Sequence, residues 1–147
     1  MKNELRFLTT EAFRPVKNEV DYEIPDFTNM DLSDIEERPG VYIIVSREQY
    51  FTYPEGQSKV MYIGESKNLK QRLSQHYRHY NDVCSERYHP LYYPPRYNYI
   101  KSFGAKVYCF YTSGTQKSKN LESTLIEAFA RRYGALPVAN GARSFKC

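Results

Sequence analysis

The chain has 147 residues, 41% of them apolar, with a formal net charge of +4, a composition that supports one hydrophobic core and excludes wholesale disorder. No apolar run approaches the ~20 residues of a membrane span, and the N-terminal MKNELRFLTTEAF lacks the apolar stretch of a secretory signal. Cys84, Cys109 and Cys147 form no C-x-x-C pair and cannot all pair with one another, so a cytoplasmic or nucleoid-associated protein is expected, not a secreted one.

Charge divides the chain unevenly. Residues 1–38 hold five Lys/Arg against ten Asp/Glu, a net of −5, while residues 39–147 hold sixteen against seven, a net of +9. A basic body favours a polyanionic partner, because each neutralised phosphate releases counterions. The acidic segment is too short to bury a core of its own and reads as an N-terminal extension packed on a domain spanning 39–147. It is expected to hold a short strand around LRFLT, residues 5–9, and a helical turn around LSDIEE, residues 32–37, begun by Ser33 and Asp34.

From Gly40 the signals sharpen. GVYIIVS, bounded by Pro39 and Gly40, is a β-rich apolar run, and KVMYIGES is a second. Between them EQYFTYPEGQSK carries the turn residues Pro54 and Gly56, so the pair reads as an antiparallel hairpin with a long loop. NLKQRLSQHYRHY predicts a helix with Leu69, Leu73, Tyr77 and Tyr80 on one stripe and Asn68, Arg72 and His76 on another, capped by Ser66. Residues 81–95 read as an irregular, proline-rich loop. RYNYIKSFG predicts a short helix closed by Gly104, and AKVYCFYT a third strand. KNLESTLIEAFARRYG is the clearest helix, with Leu121, Leu125, Ile126 and Phe129 inward and Gly134 ending it. The order β-β-α-α-β-α predicts an α+β fold: a small antiparallel three-stranded sheet flanked by helices.

Several polar residues fall where chemistry would need them. Adjacent antiparallel strands bring Tyr42 and Tyr62 side by side, although either phenol taken singly is more often a core aromatic. Gly64 lets the backbone leave the sheet without a side chain in the way of a phosphate. Arg72 and His76 lie four apart, on one helix face: a permanently charged planar fork and a group that accepts a proton near neutral pH. Glu122 has two readings, a first-turn acid favoured by the helix dipole or a half-buried carboxylate in want of a cation. A lone acid suits Mg²⁺, which keeps most of its waters. Asn140, before Gly141, reads by itself as a turn residue.

Taken together, Gly40-Val41-Tyr42, Tyr62-Ile63-Gly64, Arg72, His76, Glu122 and Asn140 resemble the GIY-YIG nuclease family over roughly residues 39–140. The resemblance implies a divalent-metal-dependent endonuclease acting on double-stranded DNA and leaving 5′-phosphate and 3′-hydroxyl ends. By that likeness Tyr42, Tyr62, Arg72, His76, Glu122 and Asn140 are catalytic. Glu122 holds one Mg²⁺ or Mn²⁺ per active site, with no organic cofactor and no membrane partner. Gly64 and Lys67 would admit the phosphate, while Arg78, Arg87, Tyr92, Tyr93 and Arg96 would contact DNA through stacking and charge. A single-domain member that cuts both strands would do so as a homo-oligomer. The chain departs from the family at Glu65, where many members have lysine, in the long loop after Tyr42, and in the aromatic segment 81–95; both loops are candidates for substrate reading. Two other readings stay open. A binding module with this fold but no activity is favoured by Glu65. A zinc site of His76, His79, Cys84 and His89 has the spacing H-x2-H-x4-C-x4-H, which fits no standard pattern.

Overall fold

Strand β2 (Gly40–Ser46) is buried at all 7 positions, as its unbroken apolar run foretells for a strand covered on both faces. The computed structural model describes Leu5, residues 21–86 and residues 94–140. Around β2 it arranges β1 (Tyr22–Ile24), β5 (Val60–Ser66) and β6 (Ala105–Tyr111) in the sheet order β1-β6-β2-β5, antiparallel throughout. A separate hairpin, β3 (Phe51–Tyr53) with β4 (Gly56–Ser58), interrupts the β2–β5 connection. The helices are α1 (Leu69–Cys84), α2 (Pro95–Phe103) and α3 (Thr115–Tyr133).

The sheet has four strands where the sequence predicts three. β6 gives one edge to β2, and its other edge would present unpaired backbone groups. Tyr22, Glu23 and Ile24 fill that edge opposite Cys109, Tyr108 and Val107. A strand of 3 residues shows no readable periodicity, so only the open edge of β6 reveals it. Phe27 and Ile35 from the same acidic segment enter the core. The helical turn predicted at residues 32–37 reduces to one bond, Ile35 N–H to the Leu32 carbonyl at 3.1 Å. Of the predicted strand at 5–9 only Leu5 is described; it is buried among the α3-side residues.

Alternation along β2 sorts the core into two layers. Tyr42 and Ile44 face Leu69, Leu73, Tyr97 and Ile100 of α1 and α2. Val41, Ile43 and Val45 face Leu125, Ala128 and Phe129 of α3. Such side chains contribute roughly 1.5–3 kcal/mol each on burial. Strand β5 breaks the alternation: Ile44 pairs with Tyr62 but Val45 pairs with Val60, so Met61 is the extra residue of a bulge. Met61 and Tyr62 therefore both pack in the layer of α1 and α2, while Ile63 returns to the α3 layer.

The long loop is ordered by packing. The Tyr53 hydroxyl donates to the Val60 carbonyl at 3.2 Å and accepts from Val138 N–H at 3.0 Å. Glu55 N–H reaches the Tyr133 carbonyl, fixing the β3–β4 tip to the end of α3. The cap of helix α1 lies two residues later than the predicted Ser66: Asn68 Oδ1 accepts from Gln71 N–H at 3.0 Å, and Ser66 bonds to Asn68 instead. It also continues to Cys84, beyond the predicted end, since Tyr80 and Val83 carry its buried stripe onward. Gly134, at φ 80, closes α3 as expected.

Gly40 marks a close approach of β2 to β6 and α1. A Cβ there would lie 2.4 Å from the Phe110 carbonyl oxygen and 2.5 Å from Leu69 Cδ1. Gly40→Ala is expected to destabilise the fold by ~1–3 kcal/mol, read as a lower urea midpoint at unchanged slope.

Candidate active site

The layer of α1 and α2 encloses a chain of polar groups. The Tyr42 hydroxyl lies 2.6 Å from His76 Nε2. His76 Nδ1 lies 2.8 Å from the Tyr97 hydroxyl, and His79 Nδ1 lies 3.2 Å from the same oxygen. The Tyr42 and Tyr62 rings are 5.9 Å apart, and Arg96 lays its guanidinium over Tyr62 at 4.3 Å. Arg72, half-buried one turn before His76, interacts with the Tyr42 phenol and bonds Gln75 through Nη1 at 3.2 Å.

Local geometry explains how these residues meet. Tyr42 faces Gly64 across the β2–β5 ladder, and Tyr62 faces Ile44, so the phenols are diagonal neighbours on one side of the sheet. A Cβ on Gly64 would lie 2.5 Å from Tyr42 Cζ and 2.7 Å from Tyr62 Cε1. Gly64 therefore makes room for the two rings, a different service from opening a path to a phosphate. On α1, His76 belongs to the buried stripe of Leu69, Leu73, Tyr80 and Val83 and not to a polar stripe with Arg72. Sequence periodicity counts a histidine as polar, yet tyrosines above and below supply its hydrogen bonds.

Burial sets the protonation states. It holds the Tyr42 phenol well above its ordinary range, Tyr62 adds to the effect, and Arg72 offsets part of it. It also drives His76 well below the usual imidazole value, reinforced by the charges of Arg72 and Arg96 and by His79. His76 is thus neutral at physiological pH, with one ring nitrogen donating and the other accepting. Burial raises Tyr97 as well, with Arg96 pulling the other way.

The other predicted residues take separate positions. Glu122 lies on α3, seven residues after its start at Thr115, within the buried stripe of Ser118, Leu125, Phe129 and Tyr133. The first-turn reading is thereby excluded, because the helix begins earlier than the sequence signals indicate. Residues Leu121 and Ile126, expected inward, flank the stripe and are only partly buried. Asn140 forms a two-way amide clasp on the free edge of β5: Oδ1 accepts from Ile63 N–H at 2.9 Å, and Nδ2 donates to the Ile63 carbonyl at 2.9 Å. It acts on the strand that carries Tyr62 and Gly64. Glu65 pairs with Val41 and so lies on the α3 side of the ladder. Lys67 and Arg78 are exposed, Arg78 on the outer face of α1. Arg96, expected among the DNA contacts, is buried against the faces of Tyr62 and Tyr97. Arg87, Tyr92, Tyr93 and His89 lie outside the described residues. Sequence reasoning considered His79 only as a zinc ligand and did not single out Tyr97 as a site residue; the hydroxyl of Tyr97 lies within hydrogen-bond distance of both histidines.

No group of three or more His, Cys, Asp or Glu able to hold a metal occurs among the described residues. His76 cannot serve a zinc ion while both its nitrogens bond tyrosines. A single buried carboxylate, Glu122, matches instead an ion that takes one protein oxygen and keeps its waters.

Two outcomes follow from this geometry. Asn140→Ala and Asn140→Asp should each lower stability by ~1–3 kcal/mol in urea unfolding, because aspartate sets an oxygen against the Ile63 carbonyl. Below pH 6.5 the unfolded chain protonates His76 while the folded chain refuses the proton. Stability therefore falls with acidification until the folded pKa is reached, at a slope of up to about 1.4 kcal/mol per pH unit. His76→Gln should flatten that acid limb relative to wild type in urea titrations at stepped pH.

Among the described residues no helix is long and apolar enough to cross a membrane. No curated protein matches the chain. The model of the GIY-YIG catalytic domain matches residues 38–133, more than half of the 147 residues. The matched span covers both tyrosine strands, the arginine and histidine of α1, and the glutamate of α3, and on this match the chain belongs to the GIY-YIG family of nucleases.

Proposed function

We propose that the protein is a divalent-metal-dependent endonuclease that hydrolyses phosphodiester bonds of double-stranded DNA, leaving 5′-phosphate and 3′-hydroxyl ends. The observation that carries this reading is the 2.6 Å contact between the Tyr42 hydroxyl and His76 Nε2, made in the interior beside the Arg72 guanidinium.

Hydrolysis needs a water to lose its proton as it attacks in line, and positive charge on the phosphoryl oxygens. Tyr42 takes the proton from water as it passes its own to His76 Nε2. The two transfers are concerted, so no free phenolate accumulates, which matters because burial disfavours that anion. Arg72 binds a non-bridging oxygen, where its planar fork is suited to phosphate. Burial holds His76 neutral in the free protein, and the same cation reinforces it. A phosphate beside Arg72 cancels part of that field, so the imidazole becomes more basic as the substrate arrives. Tyr62 packs against Tyr42 and fixes its ring, and Asn140 fixes the strand that presents both Tyr62 and Gly64.

Glu122 would hold the metal, Mg²⁺ or Mn²⁺. When bound, that ion supplies Lewis-acid stabilisation of charge on the leaving 3′ oxygen. Residues 39–147 would carry the chemistry, with 1–38 as an extension contributing the edge strand Tyr22–Ile24. A homo-oligomer would bring two such sites to the two strands.

Wild-type protein should nick supercoiled plasmid in Mg²⁺ and fail in EDTA. Arg72→Ala and Glu122→Gln should each lower the nicking rate by ~10²–10⁴-fold with unchanged circular dichroism. Full activity in either variant refutes the role given to that residue.

A further inference from the structure

We propose that Arg96 is a second phosphoryl-binding arginine, its Nε–H directed to a non-bridging oxygen of a phosphodiester seated beside Tyr62. The inference rests on the endonuclease reading and adds a residue to its pocket.

Arg96 is only 9% exposed, near the start of α2, so it cannot track a DNA groove from the surface. Its guanidinium carbon lies 4.3 Å from the centre of the Tyr62 ring and 5.6 Å from that of Tyr97. Contact with the Tyr62 face restrains the fork, and interaction with the Tyr97 hydroxyl engages part of its donor set. Its Nε–H is buried and finds no hydrogen-bond acceptor among the described residues. Buried polar groups are normally satisfied, and a buried cation strongly favours an anionic neighbour. Ion pairs such as Glu36–Arg38, Asp26–Arg47, Glu86–Lys101 and Glu127–Arg131 are formed at exposed side chains, unlike the buried Arg96.

The position of this unsatisfied donor points to what it binds. Arg72 and Arg96 come from different helices, and both act electrostatically on Tyr42 and His76. A phosphodiester presents two non-bridging oxygens, and two guanidinium forks approaching the Tyr42–His76 pair match them one to one. An apolar or neutral occupant would leave the buried Arg96 donor unsatisfied and the half-buried Arg72 without an anion. Phosphodiester binding also relieves their joint pressure on the imidazole, so Arg96 links substrate capture to the basicity of His76.

Two measurements test the assignment. The arginine Nε–H resonances of the wild-type protein are followed by ¹H–¹⁵N NMR during titration with dimethyl phosphate, with sodium acetate and chloride as controls. The Arg96 signal is identified by its loss in Arg96→Lys. It should shift saturably with dimethyl phosphate and not with the controls; no shift, or an equal shift with acetate, overturns the proposal. In plasmid nicking, Arg96→Met should lose ~10²-fold or more in kcat, KM should move by less than about threefold, and Arg96→Lys should recover part of the rate. Unchanged kcat with a raised KM makes Arg96 an ordinary DNA contact and overturns the proposal. Should the variants fail to fold, the Arg96 signal is assigned in the wild-type protein by through-bond side-chain correlations, and the wild-type titration decides alone. A wild-type protein that shows the shift but never nicks DNA retains the phosphodiester subsite and loses the endonuclease reading. Nicking without the shift does the reverse.

Discussion

A neutral imidazole held between two phenols is the constraint on which the site depends. His76 is fully buried and has one hydroxyl within hydrogen-bond distance of each ring nitrogen, Tyr42 on a strand and Tyr97 on a helix. A buried imidazole without such partners would leave polar atoms unsatisfied, each costing ~1–3 kcal/mol. The histidine therefore ties β2, α1 and α2 into one layer. Its neutrality follows from the same burial that secures its partners, reinforced by two nearby arginines.

The sheet is shaped around that pair. The bulge at Met61 returns Tyr62 to the layer of α1 and α2, and Gly64 keeps open the volume that two aromatic rings occupy. Asn140 then holds the outer edge of the same strand through both backbone groups of Ile63. Each feature acts within a few residues of Tyr62, and each would be a defect in an ordinary strand. A bulge breaks the ladder, a glycine gives up packing, and an edge invites pairing. Their coincidence on one strand suits a surface that must place two phenols with little tolerance.

The two arginines and the lone acid divide the charges of the site between layers. Arg72 and Arg96 come from helices on one face of the sheet, whereas Glu122 comes from α3 on the other. β5 is the sheet's edge strand, and it contacts both α3 on one face and α1 on the other. Glu65 of that strand adds a second carboxylate on the α3 side.

Much of this was legible in the sequence because it is local. The apolar runs fixed β2 and β5, the pair Pro39-Gly40 and the glycines at 104 and 134 marked ends, and the six motif residues identified the family. Sequence reading failed where distant segments complete one another. The strand Tyr22–Ile24 exists because β6 offers an open edge; the 3-residue segment does not announce itself. Arg96 looked like one basic residue in an aromatic run until Tyr62, thirty-four positions earlier, supplied the face it covers. His76 looked polar because a helix pattern cannot see hydroxyls arriving from other elements. Periodicity reports which way a side chain points, since that is set by local backbone geometry. Whether a buried polar group finds a partner is decided by elements far apart in the chain, and only the tertiary structure brings them together.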